Sequence, residues 1–439
     1  MMIRGSTLVS SSGMQRGDLL VVDGRIAAID KIAPADQVVD ASGLLVLPGM
    51  VDTHVHLMDP GDTTREDFPT GTLAAAARGV TTIVEHTHAH PINSVEELRE
   101  KQRHLSGRSN VDFGLAAHVW PDRIGDMEAL VAEGISFFKM FTCTTHGVPG
   151  LGPESLARAL ALVSRTDSRC LIHCEDETIT RDAEQRLRSR GREDPGLLIE
   201  WRSREAELLS VAATAAAALE TGAAATIAHV SHPAVLDVIG DFRRLGADIA
   251  AEACPQYLAL DESEVETAGA LRKFTPPARI RSQEERTAMW EAVRAGRFSH
   301  FSTDHAPSTL QQKTAGDFWE APFGLPGLDT TLPFLIDAAL NGQMAMSEVV
   351  RLYATAPAAR YRLPKGTLGI GADADLVLVD PERTWKVRDE DIISKAGWTP
   401  YAGRTFRGRV VATYLRGQEV GSEGKGHDLR LGRFVRPSR

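Results

Sequence analysis

The stretch Pro48-Gly-Met-Val-Asp-Thr-His-Val-His56 decides how the rest of this chain is read. It has the texture of a short, mostly apolar strand that ends in His54-Val55-His56. Alternate residues of a strand point to the same side, so both imidazoles face one way from one strand end. Two imidazoles so placed can hold a metal ion. Taken alone, they are equally well two hydrogen-bonded histidines.

Working outward, residues 80–86, 111–119, 135–141, 169–174, 225–230, 248–253 and 298–303 also read as strands, after 50–56. Between them, 72–78, 94–104, 153–164, 204–220 and 283–295 carry Ala, Leu, Glu or Arg at helical spacing. Ser94 with Glu97 suggests a capping box. Eight β/α alternations predict a (β/α)8 TIM barrel over residues 48–365. A doubly wound sheet is disfavoured, because no Gly-rich phosphate turn follows an early strand. Residues 1–47 look like short strands with tight turns, Asp23-Gly24 being a hairpin signal. That texture returns at 371–380 and 408–417, so residues 1–47 plus 366–439 are expected to form a small β-sandwich domain. From about Gly421 the Gly- and Arg-rich end reads as an extended or loosely held tail.

The 439 residues suffice for one large and one smaller domain, and 43% hydrophobic with 25% charged residues is ordinary globular composition. A net charge of −10 argues against nucleic acid or anionic membrane as the main partner, since neither would attract it. The start, Met1-Met-Ile-Arg-Gly-Ser6, lacks the apolar core of a signal peptide. No apolar run has spanning length; 212–218 is a small-residue helix. Cys143, Cys170, Cys174 and Cys254 form no CxxC pair and no disulfide framework. Reduced thiols in a cytoplasmic protein are therefore expected.

Several metal-capable side chains fall at the ends of these strands: Lys139 in the fourth, His173 in the fifth, His229 in the sixth and Asp304 in the eighth. Each has an ordinary explanation alone. Lys139 could pair with a carboxylate, His173 or His229 could be a satisfied core histidine, and Asp304 could cap a turn. In a barrel, however, the C-terminal strand ends share one face, where such folds place their sites. Together with His54 and His56 these residues make a coherent ring.

Further segments extend the pattern: Gly-Val-Thr-Thr-Ile-Val (79–84), Phe-Phe-Lys-Met-Phe (137–141), Leu-Ile-His-Cys-Glu (171–175) and Ala-His-Val-Ser (228–231). So do Glu-Ala-Cys-Pro-Gln-Tyr-Leu (252–258), Phe-Thr-Pro-Pro-Ala-Arg (274–279), Thr-Asp-His-Ala-Pro (303–307) and residues 365–376. In this order they resemble the amidohydrolase superfamily, in particular its cyclic-amide branch of allantoinases, hydantoinases/dihydropyrimidinases and dihydroorotases. The resemblance covers nearly the whole chain. It implies two divalent metal ions, usually zinc, with His54 and His56 on the more buried ion and His173 and His229 on the other. It implies a carbamylated Lys139 bridging both, since a neutral or cationic lysine cannot bridge two cations. Asp304 would ligate the first ion and serve as general base and acid. A hydroxide between the ions would attack the ring carbonyl, and Asp304 would pass the proton to the leaving nitrogen. Relatives are often dimers or tetramers, so a homo-oligomer acting on a small cyclic ureide or amide is expected.

The resemblance also bears on which ring is opened. Similar dihydroorotases carry an Arg two residues after the HxH pair and an Asn after strand two, both gripping a substrate carboxylate. Met58 stands at the first place, which removes a bidentate partner. His86-Thr-His-Ala-His90 surrounds the second. Similar hydantoinases carry a Tyr five residues after the lysine; Thr144 stands there, as in allantoinases. Asp59-Pro-Gly61 and residues 399–405 lean the same way, whereas 254–258 is closer to hydantoinases and 321–329 to dihydroorotases. Allantoinase-like hydrolysis leads, with hydantoinase-like or dihydroorotase-like hydrolysis next and a non-catalytic hydantoinase-like assembly protein a remote alternative. Deaminases of this fold usually lack the bridging lysine. Thr275 and His305 are further candidate substrate contacts. The run His86, His88, His90 reads as a solvated loop ahead of a group binding the ring or an extra ion.

Overall fold

The computed structural model describes residues 1–30 and 35–438. Among the described residues eight parallel strands make the barrel: Met50–Val55, Val80–Glu85, Asp112–Leu115 continued by Ala117–His118, Phe138–Phe141, Cys170–His173, Ala225–Ile227, Ile249–Ala253 and His300–Phe301. The eighth returns to the first where the His56 N–H donates to the His305 carbonyl at 2.8 Å. Asp52 reinforces this seam. Its Oδ1 accepts the Thr303 N–H at 3.2 Å and its Oδ2 the Tyr353 hydroxyl at 2.7 Å.

Strand periodicity sorts the side chains. Phe137 and Lys139 are alternate residues, as are Leu171 and His173, so each pair shares a face. Phe137 and Leu171 join Val51, Val84, Ala116 and Ala228 in an apolar cluster sealed by Tyr361, Leu363 and Val435. The polar member of each pair stands one step nearer the C-terminal strand end. Helices Phe68–Ala77, Val95–Leu105, Met127–Glu133, Pro153–Arg165, Arg204–Thr221, Pro233–Arg244 and Gln283–Arg294 alternate with the strands. Asp67, Ser94, Ser203 and Ser282 each cap a helix by accepting the N–H three residues on. The capping box expected at Ser94 is half formed: the Glu97 carboxylate accepts the Asn93 N–H at 2.8 Å instead of reaching back to the cap.

Both ends of the chain enter one nine-stranded sheet, in which Leu376–Lys386 pairs antiparallel with Leu45–Pro48, and Leu45–Pro48 parallel with Met2–Ser10. The sheet curls. Gly24, in the turn Asp23-Gly24 with φ of 49° and 77°, comes against Arg416, four strands away. Ile3, Leu8, Leu19 and Val21 accordingly share a core with Leu376, Leu378, Ala412 and Tyr414. This is the sandwich layer expected beside the barrel. Gly49 joins it to the first barrel strand at a point where a Cβ would collide with Thr81.

The end of the chain differs from its expected loose state. Strand three pairs with strand two along Asp112–Leu115 but meets strand four only from Ala117. The free edge left at Asp112–Phe113 is taken by the last residues. The Arg433 carbonyl accepts the Phe113 N–H at 2.9 Å, and the Val435 N–H donates to the Phe113 carbonyl at 2.8 Å. The Arg433 N–H donates to Asp112 Oδ1 at 2.8 Å. An unpaired strand edge inside a barrel leaves N–H and C=O groups unsatisfied, and the tail satisfies them.

Candidate metal centre

His54, His56, Lys139, His173, His229 and Asp304 come together and line one cavity at the C-terminal strand ends. Nε2 of His54 lies 3.1 Å from Asp304 Oδ1 and 3.2 Å from Lys139 Nζ. Nε2 of His56 is 3.5 Å from the same carboxylate oxygen. On the other side, His173 Nδ1 faces His229 Nε2 at 3.0 Å.

What lies behind the rings matters as much. His54 Nδ1 meets Glu252 Oε1 at 2.8 Å, His56 Nδ1 the His86 carbonyl at 2.7 Å, and His173 Nε2 the Glu175 carboxylate at 2.8 Å. Glu175 is itself held by Arg202 at 3.1 Å and the Thr275 hydroxyl at 2.8 Å. Each anchor keeps a proton on the outward nitrogen and a lone pair on the inward one, as metal-ligating imidazoles require. His173, so anchored, turns a lone pair toward Nε2 of His229, and Nδ1 of His229 has no hydrogen-bond partner to fix its tautomer, so both rings can turn a lone pair toward a cation between them. The donor set therefore fits a pair of divalent ions.

Burial governs the charge states. It pushes Lys139 down from 10.5 to about 8 and His56 down to about 4, and holds His229 well below its ordinary value. Burial opposes ionisation of Asp304, but His54 and His56 beside it hold its carboxyl below the usual range. The backbone is strained here: Met58, His229 and Asp304 have φ of 55°, 36° and 51°. Left-handed conformations cost non-glycine residues about 1–3 kcal/mol each and cluster at functional sites.

The amidohydrolase family profile matches residues 45–420. The chain belongs to the amidohydrolase family. Its relatives include an allantoinase of Rubrobacter xylanophilus, 35% identical over 100% of this chain and 98% of that protein. A dihydroorotase of Aquifex aeolicus is 32% identical over 92% of this chain and 94% of that protein. Among solved structures, the L-hydantoinase of Arthrobacter aurescens superposes with a TM-score of 0.93 at 28% identity, covering 99% of each chain.

The other expected contacts of this amidohydrolase divide. Met58 and Thr275 line the cavity, although the Thr275 hydroxyl is engaged with Glu175. Thr144 does not. It is exposed on the loop after strand four, where its hydroxyl accepts the Gly150 N–H at 3.2 Å. His146, two residues on, reaches the cavity instead. His305 is fully buried, and its Nδ1 accepts the Gly327 and Leu328 N–H groups at 3.0 and 3.2 Å, so it fastens a loop and does not face the cavity. Of the run read as a solvated loop, only His90 is exposed; His86 is buried and His88 lines the cavity. Both sit where strand two enters the mouth, and this position overrides their polarity.

Residues not singled out from the sequence include Glu175, Arg202, Glu252, Arg65 and Phe323. Glu252 carried a usable signal: a carboxylate inside the apolar strand Ile249–Ala253 demands a buried partner. Arg65 carried none, because nothing in its surrounding loop marks which way it turns.

Proposed function

We propose that this amidohydrolase opens a cyclic ureide by hydrolysing a ring amide bond, with allantoin as the leading substrate. The observation that carries the reading is the anchored donor set: six inward-facing ligands with Glu175, Glu252 and the His86 carbonyl behind three of the imidazoles. A non-catalytic assembly role would not need it. Allantoin leads because the curated relatives at 35%, 33% and 30% identity are named allantoinases.

In this reading the barrel, residues 48–365, carries the chemistry, and residues 1–47 with 366–439 support it. His54, His56 and Asp304 would hold one divalent ion, His173 and His229 the other, and Lys139 both; zinc suits these nitrogen and oxygen donors. The two ions supply a Lewis acid for the ring carbonyl and an acidified water as nucleophile. Lys139 must lose its proton before it can add carbon dioxide and become a carbamate. With a pKa of about 8 it is neutral roughly one time in ten at pH 7, against about one in 3,000 at 10.5. Asp304, held ionised beside His56, accepts a proton and delivers it to the leaving ring nitrogen, the step that makes amides slow to cleave. The four cysteines are free and buried, in keeping with a cytoplasmic protein, and we expect a dimer or tetramer. No described helix is long and apolar enough to cross a membrane.

A carboxylated ring such as dihydroorotate is the second reading, and one observation favours it. Arg65 lines the cavity, donating to the Pro307 and Phe323 carbonyls at 3.0 and 3.3 Å, with no ion pair among the described residues. A guanidinium so placed supplies, from farther along the same loop, the charge that Met58 lacks. The deciding measurement is turnover of allantoin, hydantoin, dihydrouracil, dihydroorotate and cyclic imides, with metal content determined on the same preparation. Allantoin is expected fastest and chelation abolishes turnover. Dihydroorotate as best substrate would replace the first reading by the second. Protein that stays inert on the whole panel after zinc and bicarbonate sinks both.

A further inference from the structure

A second set of ligating atoms stands at the same mouth of the barrel. One ring nitrogen from each of His86, His88 and His118 lies within 4.8 Å of the other two. His86 follows the last residue of strand two, His118 ends strand three, and His88 is on the turn beside them. Main-chain bonds fix the first two: the His86 N–H donates to Val55 at 3.0 Å and the His118 N–H to Ile92 at 2.7 Å.

The two rings are 1% and 2% exposed, and neither nitrogen of either has a hydrogen-bond partner; Nε2 of His88 has none either. Buried imidazoles ordinarily find at least one. A histidine held by the protein alone would direct its N–H at a carbonyl or carboxylate, and neither ring does so, which leaves both nitrogens of each open to a ligand. Lys101, a cation that acts on His118, is matched by Glu85 at 2.5 Å, so it does not oppose a second positive charge. His88 borders both the catalytic cavity and an outer cleft of about 510 Å³, which gives an ion a way in.

We propose that His86, His88 and His118 bind a third divalent ion, of the imidazole-preferring class of zinc, cobalt and nickel. Around a tetrahedral ion with bonds of about 2.1 Å, ligand nitrogens stand about 3.4 Å apart, which modest ring rotations reach from the present spacing. Three imidazoles leave one position open, and the cavity beside His88 gives it access to a ligand. His86 is also within 4.8 Å of ligating atoms of His54 and His56, so the rival occupant is an ion of the binuclear centre that takes His86 as an added ligand.

The test is zinc reconstitution of chelator-stripped protein in bicarbonate, with metal content per chain and anomalous scattering at the zinc edge from crystals. Three ions per chain are expected, the third enclosed by His86, His88 and His118. His118→Asn is expected to lower the content to two and to erase that peak alone. The proposal falls if the wild type shows only two peaks, if the third survives His118→Asn, or if His86 joins a peak at His54 and His56. Should His118→Asn not fold, His88→Asn and the wild-type map decide alone. A peak at the three histidines without peaks at His54 and His173 would uphold this site and remove the binuclear reading.

Discussion

Two groups of histidines stand side by side at the mouth of the barrel and differ in what lies behind the rings. His54, His56 and His173 are each backed by a carboxylate or carbonyl within 2.8 Å, whereas His86 and His118 have nothing behind either nitrogen. The first arrangement fixes ring orientation and tautomer before any ion arrives. The second leaves orientation to the ion. If both groups take ions, the backed group is expected to bind more tightly and the bare one to exchange faster, because outer anchors typically contribute 10–100-fold in affinity.

The largest effect that would sharpen this comparison is at Lys139, the lysine proposed to serve both halves of the backed centre. Lys139→Ala is expected to lower kcat by roughly 10³-fold or more, because the ligands act as a unit. Partial rescue by short carboxylic acids would support the carbamate, while unchanged turnover would refute the assignment. Next are the anchors. Glu175→Gln and Glu252→Gln are each expected to weaken zinc binding by about 10–100-fold in chelator competition. Unaltered affinity would mean that backing is not what separates the two groups.

The smallest effect is on the metal-free protein. Burial lowers His56 from 6.5 to about 4 and holds His86, His118 and His229 well below the usual imidazole range. At these imidazoles the unfolded chain binds more protons below pH 6.5, so their contribution to stability falls as pH drops from 6.5 toward about 4, while Asp52 and Glu207, raised by burial to about 6 and about 7, act in the opposite sense. Each such imidazole contributes up to about 1.4 kcal/mol per pH unit. His118→Phe is expected to flatten the slope by one such increment in denaturant titrations across pH 4–6.5. A slope equal to wild type would place that ring in contact with solvent.

The barrel and the meeting of His54, His56, Lys139, His173, His229 and Asp304 at its mouth were legible because each rests on short-range regularities: period-two strands, helical spacing and polar residues at strand ends. Asp67, Ser203 and Ser282 announce helix starts in the same local way. What escaped depends on contacts far apart in the chain. Arg65 meets Pro307 and Phe323, and Glu175 meets Arg202 and Thr275, across separations that no local pattern encodes. Thr144 and His305 lie off the cavity wall for the converse reason. Neighbouring loop residues can turn either way, and here His146 lines the cavity while Thr144, also exposed, does not. The histidines after strand two show how far position outweighs type: three histidines in a row of five read as solvated, yet His86 is buried and His88 half-buried at the barrel mouth.

The last residues carry a consequence for how the protein is made. Their main chain completes the edge of strand three at Phe113, and Gly432 fits there because a Cβ would collide with the Val111 carbonyl. The ribosome makes this segment more than 300 positions after the strand that needs it. Until then the nascent barrel has an open seam at Phe113. Closure of the barrel edge therefore waits for residues 433–435. The Ser438 N–H, bound to the Arg362 carbonyl at 2.7 Å, then fastens the segment beside that seam.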